Sequence, residues 1–190
     1  MQPVKIAIFA SGSGSNAENI ATYFSAINDI KVSCILSNKP DAFVLERAKK
    51  LNIPTLVFNR QEFYETNRIL QFLKKESIRW IILAGFLWLI PEYLVDAYPG
   101  RIINIHPALL PRYGGKGMYG EKVHQTVIES GDKESGITIH LVNKEYDKGN
   151  IIFQARCKVD ASDTSETLAA KVHKLEYAHF PEVIEKLIIS

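Results

Sequence analysis

The segment "VKIAIFASGSGSNAENIATYF", Val4 to Phe24, constrains the fold more than any other. It opens on a short, nearly continuous apolar run. Such a run has no face to show water, so it must be buried on both sides, as in a parallel sheet covered by helices. Small polar residues and glycines follow at once, and then Ile20, Phe24 and Ile27 recur at helical spacing. A strand, a glycine turn and a helix in that order are the opening unit of a doubly wound α/β fold.

The same rhythm repeats downstream. "KVSCIL", "TLVF" and "WIILAG" read as further strands, and "DAFVLERAKKL" and "RQEFYETNRILQFLKKE" each as a helix. After "RIINI" the rhythm changes. "SGITIHLVNKEYDKGNIIFQARCKV" reads as two strands joined by a turn around Asp147-Lys148-Gly149-Asn150, an antiparallel addition. A long helix then runs from about Ser165 to Ile189, with Leu168, Val172, Leu175, Ile184, Leu187 and Ile188 as its apolar side. Asp163 and Glu166 have the spacing of a capping box at its start, and Pro181 should kink or interrupt it. The expected fold class is α/β: a doubly wound, Rossmann-like mixed sheet, parallel in its N-terminal part, with antiparallel C-terminal strands and a long C-terminal helix. No repeat or Pro/Gly/Ser-rich linker divides the 190 residues, so residues 1–190 are expected to form one domain.

Composition narrows the functional classes. A net charge of +2 with scattered Lys and Arg offers no stripe for nucleic acid. The longest apolar run, "WIILAGFLWLI", is too short to span a bilayer, and the N-terminus reads as a strand rather than a signal peptide. Cys34 and Cys157 fit neither a CxxC nor a zinc spacing, which points to a reducing compartment, the cytoplasm.

Two motifs carry chemistry. "GSGSNA" from Gly12 fits GxGxxG/A in its required strand-to-helix context, where free backbone N–H groups cradle phosphate. A dinucleotide would need an acid at the end of the second strand. That strand ends "LSNKP", with Ser37 and Asn38 in the acid's place, so a phosphate monoester is favoured over NAD. In "NIHP", Asn104 and His106 share strand parity near a carboxyl end, where open α/β sheets place their ligands. An amide donor suits an oxyanion and an imidazole suits proton transfer. Pro107 and Pro111 restrict the backbone beyond them. The other histidines, His124, His140, His173 and His179, have no such company in the sequence, and no HExxH or carboxylate cluster suggests a metal. Asp147 reads locally as a turn aspartate. Brought near His106, its charge would raise the histidine's pKa and favour imidazolium.

Taken together, "SGSGSN", "SNKPDAFVLERAK", "LAGFLWLIP", "NIHPALLP", "ESGITIHLV", "EYDKGNIIFQ" and "VHKLEYAHFPEVI" resemble, in order and over nearly the whole chain, the glycinamide ribonucleotide branch of the formyltransferase superfamily. That resemblance implies an enzyme of purine synthesis. It would move a formyl group from 10-formyltetrahydrofolate, its co-substrate, to the amine of glycinamide ribonucleotide, by direct attack and without a metal. It implies Asn104, His106 and Asp147 as the catalytic trio. Gly14, Ser15 and Asn16 then hold the ribonucleotide phosphate, while Pro107 and Glu176 face the ribonucleotide. Leu87, Trp88, Leu89 and Ile90 line the pterin site with Asn104, and Arg60 stands near folate. The expected partners are these small molecules alone, with no nucleic acid or membrane, and the expected state is a monomer or weak homodimer. Two features depart from the family pattern: Trp88 stands where a basic residue is common, and the Gly114–Lys122 loop is longer than usual. Alternatives from the same superfamily are a 10-formyltetrahydrofolate hydrolase and a methionyl-tRNA formylase. Outside it stand a non-catalytic nucleotide-phosphate-binding module and an NAD-dependent oxidoreductase.

Overall fold

The computed structural model describes residues 2–189. Its seven strands are β1 (Val4–Phe9), β2 (Ile30–Ser37), β3 (Thr55–Val57), β4 (Trp80–Leu83), β5 (Ile102–His106), β6 (Glu134–Leu141) and β7 (Ile151–Lys158). The helices are α1 (Ser15–Ser25), α2 (Val44–Lys50), α3 (Arg60–Tyr64), α4 (Arg68–Lys75), α5 (Glu92–Ala97), α6 (Glu121–Glu129) and α7 (Ser165–Ile189). One sheet joins the strands in the order β3-β2-β1-β4-β5-β6-β7. Pairing is parallel from β3 through β5 and antiparallel from β5 to β7. The mixed sheet expected from the change of rhythm after "RIINI" is therefore the one observed, with its seam at β5.

Alternation along the strands divides the core. Ile6, Ile8, Ile82, Ile103, Ile105, Ile137 and Ile139 face α1, α6 and α7, where they meet Ile20, Phe24, Val127, Val172 and Phe180. Ala7, Phe9, Ile81, Leu83 and Ile102 face α3, α4 and α5, against Phe63, Ile69, Leu73 and Leu94. With apolar side chains needed on both faces, the strands read as continuous hydrophobic runs. Among the described residues, no helix is long and apolar enough to cross a membrane.

Three local expectations need correction. The helix expected over "RQEFYETNRILQFLKKE" is two, α3 and α4. The Thr66 hydroxyl donates to the Glu62 carbonyl at 2.9 Å and accepts from the Arg68 N–H at 3.2 Å, supplanting the backbone ladder between them. The start of α7 is capped by Thr164 and Thr167, whose hydroxyls each accept from the other's backbone N–H at 3.3 and 2.9 Å. Asp163 instead accepts from the Asp160 N–H at 2.8 Å and pairs with Lys171 at 2.5 Å. Pro181 does not interrupt α7, which runs unbroken to Ile189. The carbonyl that Pro181 leaves without an amide partner, that of Tyr177, accepts from Asn19 Nδ2 at 3.0 Å.

Candidate active site

The glycine turn sits at the carboxyl end of β1, and two neighbouring elements hold it there. The Val44 N–H donates to the Gly12 carbonyl at 3.1 Å, and Arg47 Nε donates to the Ser13 carbonyl at 2.9 Å. Gly14 caps α1 with φ +74°, and a Cβ there would lie 2.3 Å from Val44 Cγ2. Both the backbone conformation and the space thus demand glycine. The "SN" that stood in place of a ribose-binding acid has a structural task. Buried Asn38 accepts from the Ser11 hydroxyl at 2.7 Å, and that hydroxyl accepts from the Leu87 N–H at 3.0 Å.

The turn opens onto a cavity of about 910 Å³. Gly14, Ser15, Asn16, Leu87, Asn104, His106, Pro107, Asp147 and Glu176 all border it, so one space collects residues from five distant stretches of chain. The remaining expected folate residues lie otherwise. Ile90 is in the core, and the Leu89 carbonyl accepts from the Tyr64 hydroxyl at 2.9 Å. Trp88 packs against Phe58, Phe63 and Phe86. Arg60 stacks 4.9 Å above the Tyr64 ring and 5.8 Å from that of Trp88. A cation over aromatic faces is a favourable arrangement, and it puts the one basic candidate for the folate side next to Trp88. The long loop supplies Lys116, Met118 and Tyr119 to the cavity.

At its centre, Asn104, His106 and Asp147 come together. His106 Nδ1 lies 3.6 Å from Asp147 Oδ2, and Asn104 Nδ2 lies 3.5 Å from Asp147 Oδ1. Asp147 takes the left-handed conformation, φ +54°, at a cost of about 1–2 kcal/mol for an L-residue. The Gly115 N–H donates to its Oδ2 at 2.9 Å, so the long loop fastens to the carboxylate. Burial works against ionisation of Asp147. His140, His106 and the Gly115 N–H outweigh it and hold the carboxyl below the usual range.

His106 departs from expectation. Burial pushes its pKa below the ordinary value, overriding Asp147 and the Tyr113 carbonyl, which both push it up. The resting imidazole is therefore neutral near pH 7, not the imidazolium that Asp147 alone would favour. Its Nε2 lies 2.7 Å from the Tyr113 carbonyl. A carbonyl only accepts, so Nε2 carries the proton and Nδ1 keeps its lone pair, beside Asp147.

Sequence reasoning missed His140. It pairs with Asn104 across the antiparallel seam. Its Nδ1 donates to the Leu141 carbonyl at 2.9 Å, and its Nε2 lies 3.1 Å from Asn104 Nδ2 and 3.6 Å from Asp147 Oδ1. His124 and His173 also border the cavity. His173 Nδ1 donates at 2.8 Å to Glu176, which is buried and also accepts from Asn16 at 2.9 Å.

The family model described as "Formyl transferase" matches residues 4–184. A Bacillus subtilis phosphoribosylglycinamide formyltransferase is 38% identical over 189 residues, 97% of this chain and 94% of that protein. A chloroplastic phosphoribosylglycinamide formyltransferase of Arabidopsis thaliana is 44% identical over 187 residues, 95% of this chain but only 64% of the longer relative. The crystal structure of a phosphoribosylglycinamide formyltransferase from Bacillus halodurans superposes with a TM-score of 0.87 at 36% identity, covering 97% of this chain and 95% of that one. With a family match over residues 4–184 and a Bacillus subtilis relative matched nearly end to end, the chain belongs to the formyl transferase family.

Proposed function

We propose that this protein is a phosphoribosylglycinamide formyltransferase, transferring the formyl group of 10-formyltetrahydrofolate to the primary amine of glycinamide ribonucleotide in purine synthesis. The observation that carries the reading is that the amide, imidazole and carboxylate share one cavity with the glycine turn. Similarity to the Bacillus and Arabidopsis enzymes supports it.

In the proposed reaction the ribonucleotide phosphate rests on Gly14, Ser15 and Asn16, remote from the reacting end. Binding energy spent there positions the amine. The amine nitrogen attacks the formyl carbon, and the carbonyl π pair moves to oxygen. Asn104 Nδ2 donates to that oxyanion. One of its hydrogens is held by His140, and the other points to Asp147 at 3.5 Å, a contact weak enough to yield. The attacking nitrogen's proton passes to neutral His106, forming an imidazolium beside Asp147. Collapse of the tetrahedral centre breaks the bond to the folate nitrogen, which takes the proton back. The formyl carbon is never bonded to the enzyme.

The test is an assay of folate release from 10-formyltetrahydrofolate with and without glycinamide ribonucleotide. Release dependent on the ribonucleotide is expected. Release without it would instead indicate a hydrolase, and no release in either case would overturn the reading.

A further inference from the structure

The proposed chemistry leaves one buried group on the cavity wall unused. His124, on α6, is 3% exposed and borders the cavity. Its Nδ1 is sealed from solvent and makes no hydrogen bond. Burial, and then the nearby His173, push its pKa below the ordinary value, so near pH 7 the ring is neutral, with one N–H and one lone pair. A sealed donor without an acceptor is costlier than a sealed lone pair. The proton therefore belongs on Nε2, leaving the lone pair at Nδ1.

The ring stands edge-on to that of His173, with centroids 6.4 Å apart. His173 and Asn16 both donate to the same carboxylate oxygen, Glu176 Oε2. Oε1 is the remaining acceptor of this buried carboxylate on the cavity wall. The His124 donor and the Glu176 acceptor therefore border the same cavity, within electrostatic reach of each other and of His106, and Asn16 ties the carboxylate to the glycine turn.

We infer that His124 is a specificity-determining residue, whose Nε2–H donates to a ribose hydroxyl of the acceptor nucleotide while that hydroxyl donates to Glu176 Oε1. The inference rests on the proposed function. A hydroxyl both accepts and donates, so it satisfies the pair, whereas a deoxy carbon satisfies neither. A site built to bond a hydroxyl discriminates strongly against the analogue that lacks it.

The experiment measures KM and kcat for glycinamide ribonucleotide and for its 2′-deoxy and 3′-deoxy analogues. The proteins are wild type, His124→Phe, which keeps a ring without the N–H, and His124→Gln, which restores a donor. Calorimetric binding of each nucleotide without folate gives a readout independent of turnover. For the ribonucleotide, His124→Phe is expected to raise KM and Kd about tenfold with kcat little changed, the loss of one hydrogen bond. His124→Gln should recover part of that affinity. For one of the two deoxy analogues, wild type and His124→Phe should bind alike.

Unchanged ribonucleotide affinity in His124→Phe, with wild-type turnover intact, overturns this inference alone. An equal loss for the ribonucleotide and both analogues does the same, because it marks a support of the fold. Wild type that neither binds nor formylates the ribonucleotide overturns the proposed function as well. Should His124→Phe not fold, nitrogen-15 NMR of the wild-type imidazole decides. An Nε2–H signal that shifts with the ribonucleotide and not with that same analogue is expected, and an Nδ1–H tautomer overturns the inference.

Discussion

His106 holds a neutral ring because burial lowers its pKa further than Asp147, the Tyr113 carbonyl and Glu176 together lift it. If the neutral ring accepts the amine's proton, kcat/KM falls as pH drops through the His106 pKa, below 6.5. Asp147→Asn removes the charge that raises that pKa, so the acid limb should move to lower pH while the plateau drops. A pH profile of kcat/KM checks this, and an unmoved limb would separate Asp147 from His106. Asn104→Ala deletes the proposed oxyanion donor and should lower kcat by ~10²–10³, about 3–4 kcal/mol, with KM for the ribonucleotide little changed. Steady-state kinetics tests it. At this scale the sequence was half legible. Asn104 and His106 are local neighbours with shared parity, so their pairing could be read directly. His140 was missed because its companion lies across a strand boundary. Counting back from the turn at Asp147–Asn150 along the expected hairpin is the signal that could have placed it opposite Asn104. His124 and His173 meet only through the packing of α6 on α7, which no local spacing encodes.

Strands and helices were legible wherever hydrophobic periodicity decided them. The seam at β5 was visible because two strand-like runs joined at Asp147–Asn150 replace the βα rhythm, while the short helices α5 and α6 went unexpected. What misled was side-chain competition for backbone groups: Thr66 divides one expected helix, and Thr164 and Thr167 take the capping role from Asp163 and Glu166. Pro181 misled for a related reason, since its orphaned carbonyl finds Asn19 on another helix. That arrangement predicts a measurable coupling. Asn19→Ala should cost about 0.5–1 kcal/mol in urea unfolding. In a Pro181→Ala background, where residue 181 regains an amide for the Tyr177 carbonyl, the same change should cost measurably less. Equal costs in the two backgrounds would show that Asn19 does not serve that carbonyl.

For the whole molecule, the histidines around the cavity make stability depend on pH. His106 and His124 have folded pKa values below 6.5, so under mild acid the unfolded chain binds more protons than the folded one. Their contribution is complete above about pH 6.5 and is lost as pH falls toward their folded values. His173, raised by its bond to Glu176, has the opposite sign: it stabilises below about 6.5, and that contribution is lost as pH rises through its folded value. His124→Phe should therefore lose less stability than wild type between about pH 7 and about pH 5, measured by urea midpoints at each pH. An identical loss would show that His124 does not titrate on unfolding.

The change of pairing direction at β5 has an evolutionary reading. The glycine turn lies before that strand, and Asp147 lies in the hairpin beyond it. A crossover joining two related genes near residue 101 would therefore exchange the glycine turn as one unit and Asn104, His106, Asp147, His124 and Glu176 as another, leaving the hydrogen-bond ladder within each half whole. Such chimeras offer a natural way to ask which half sets the choice of acceptor amine.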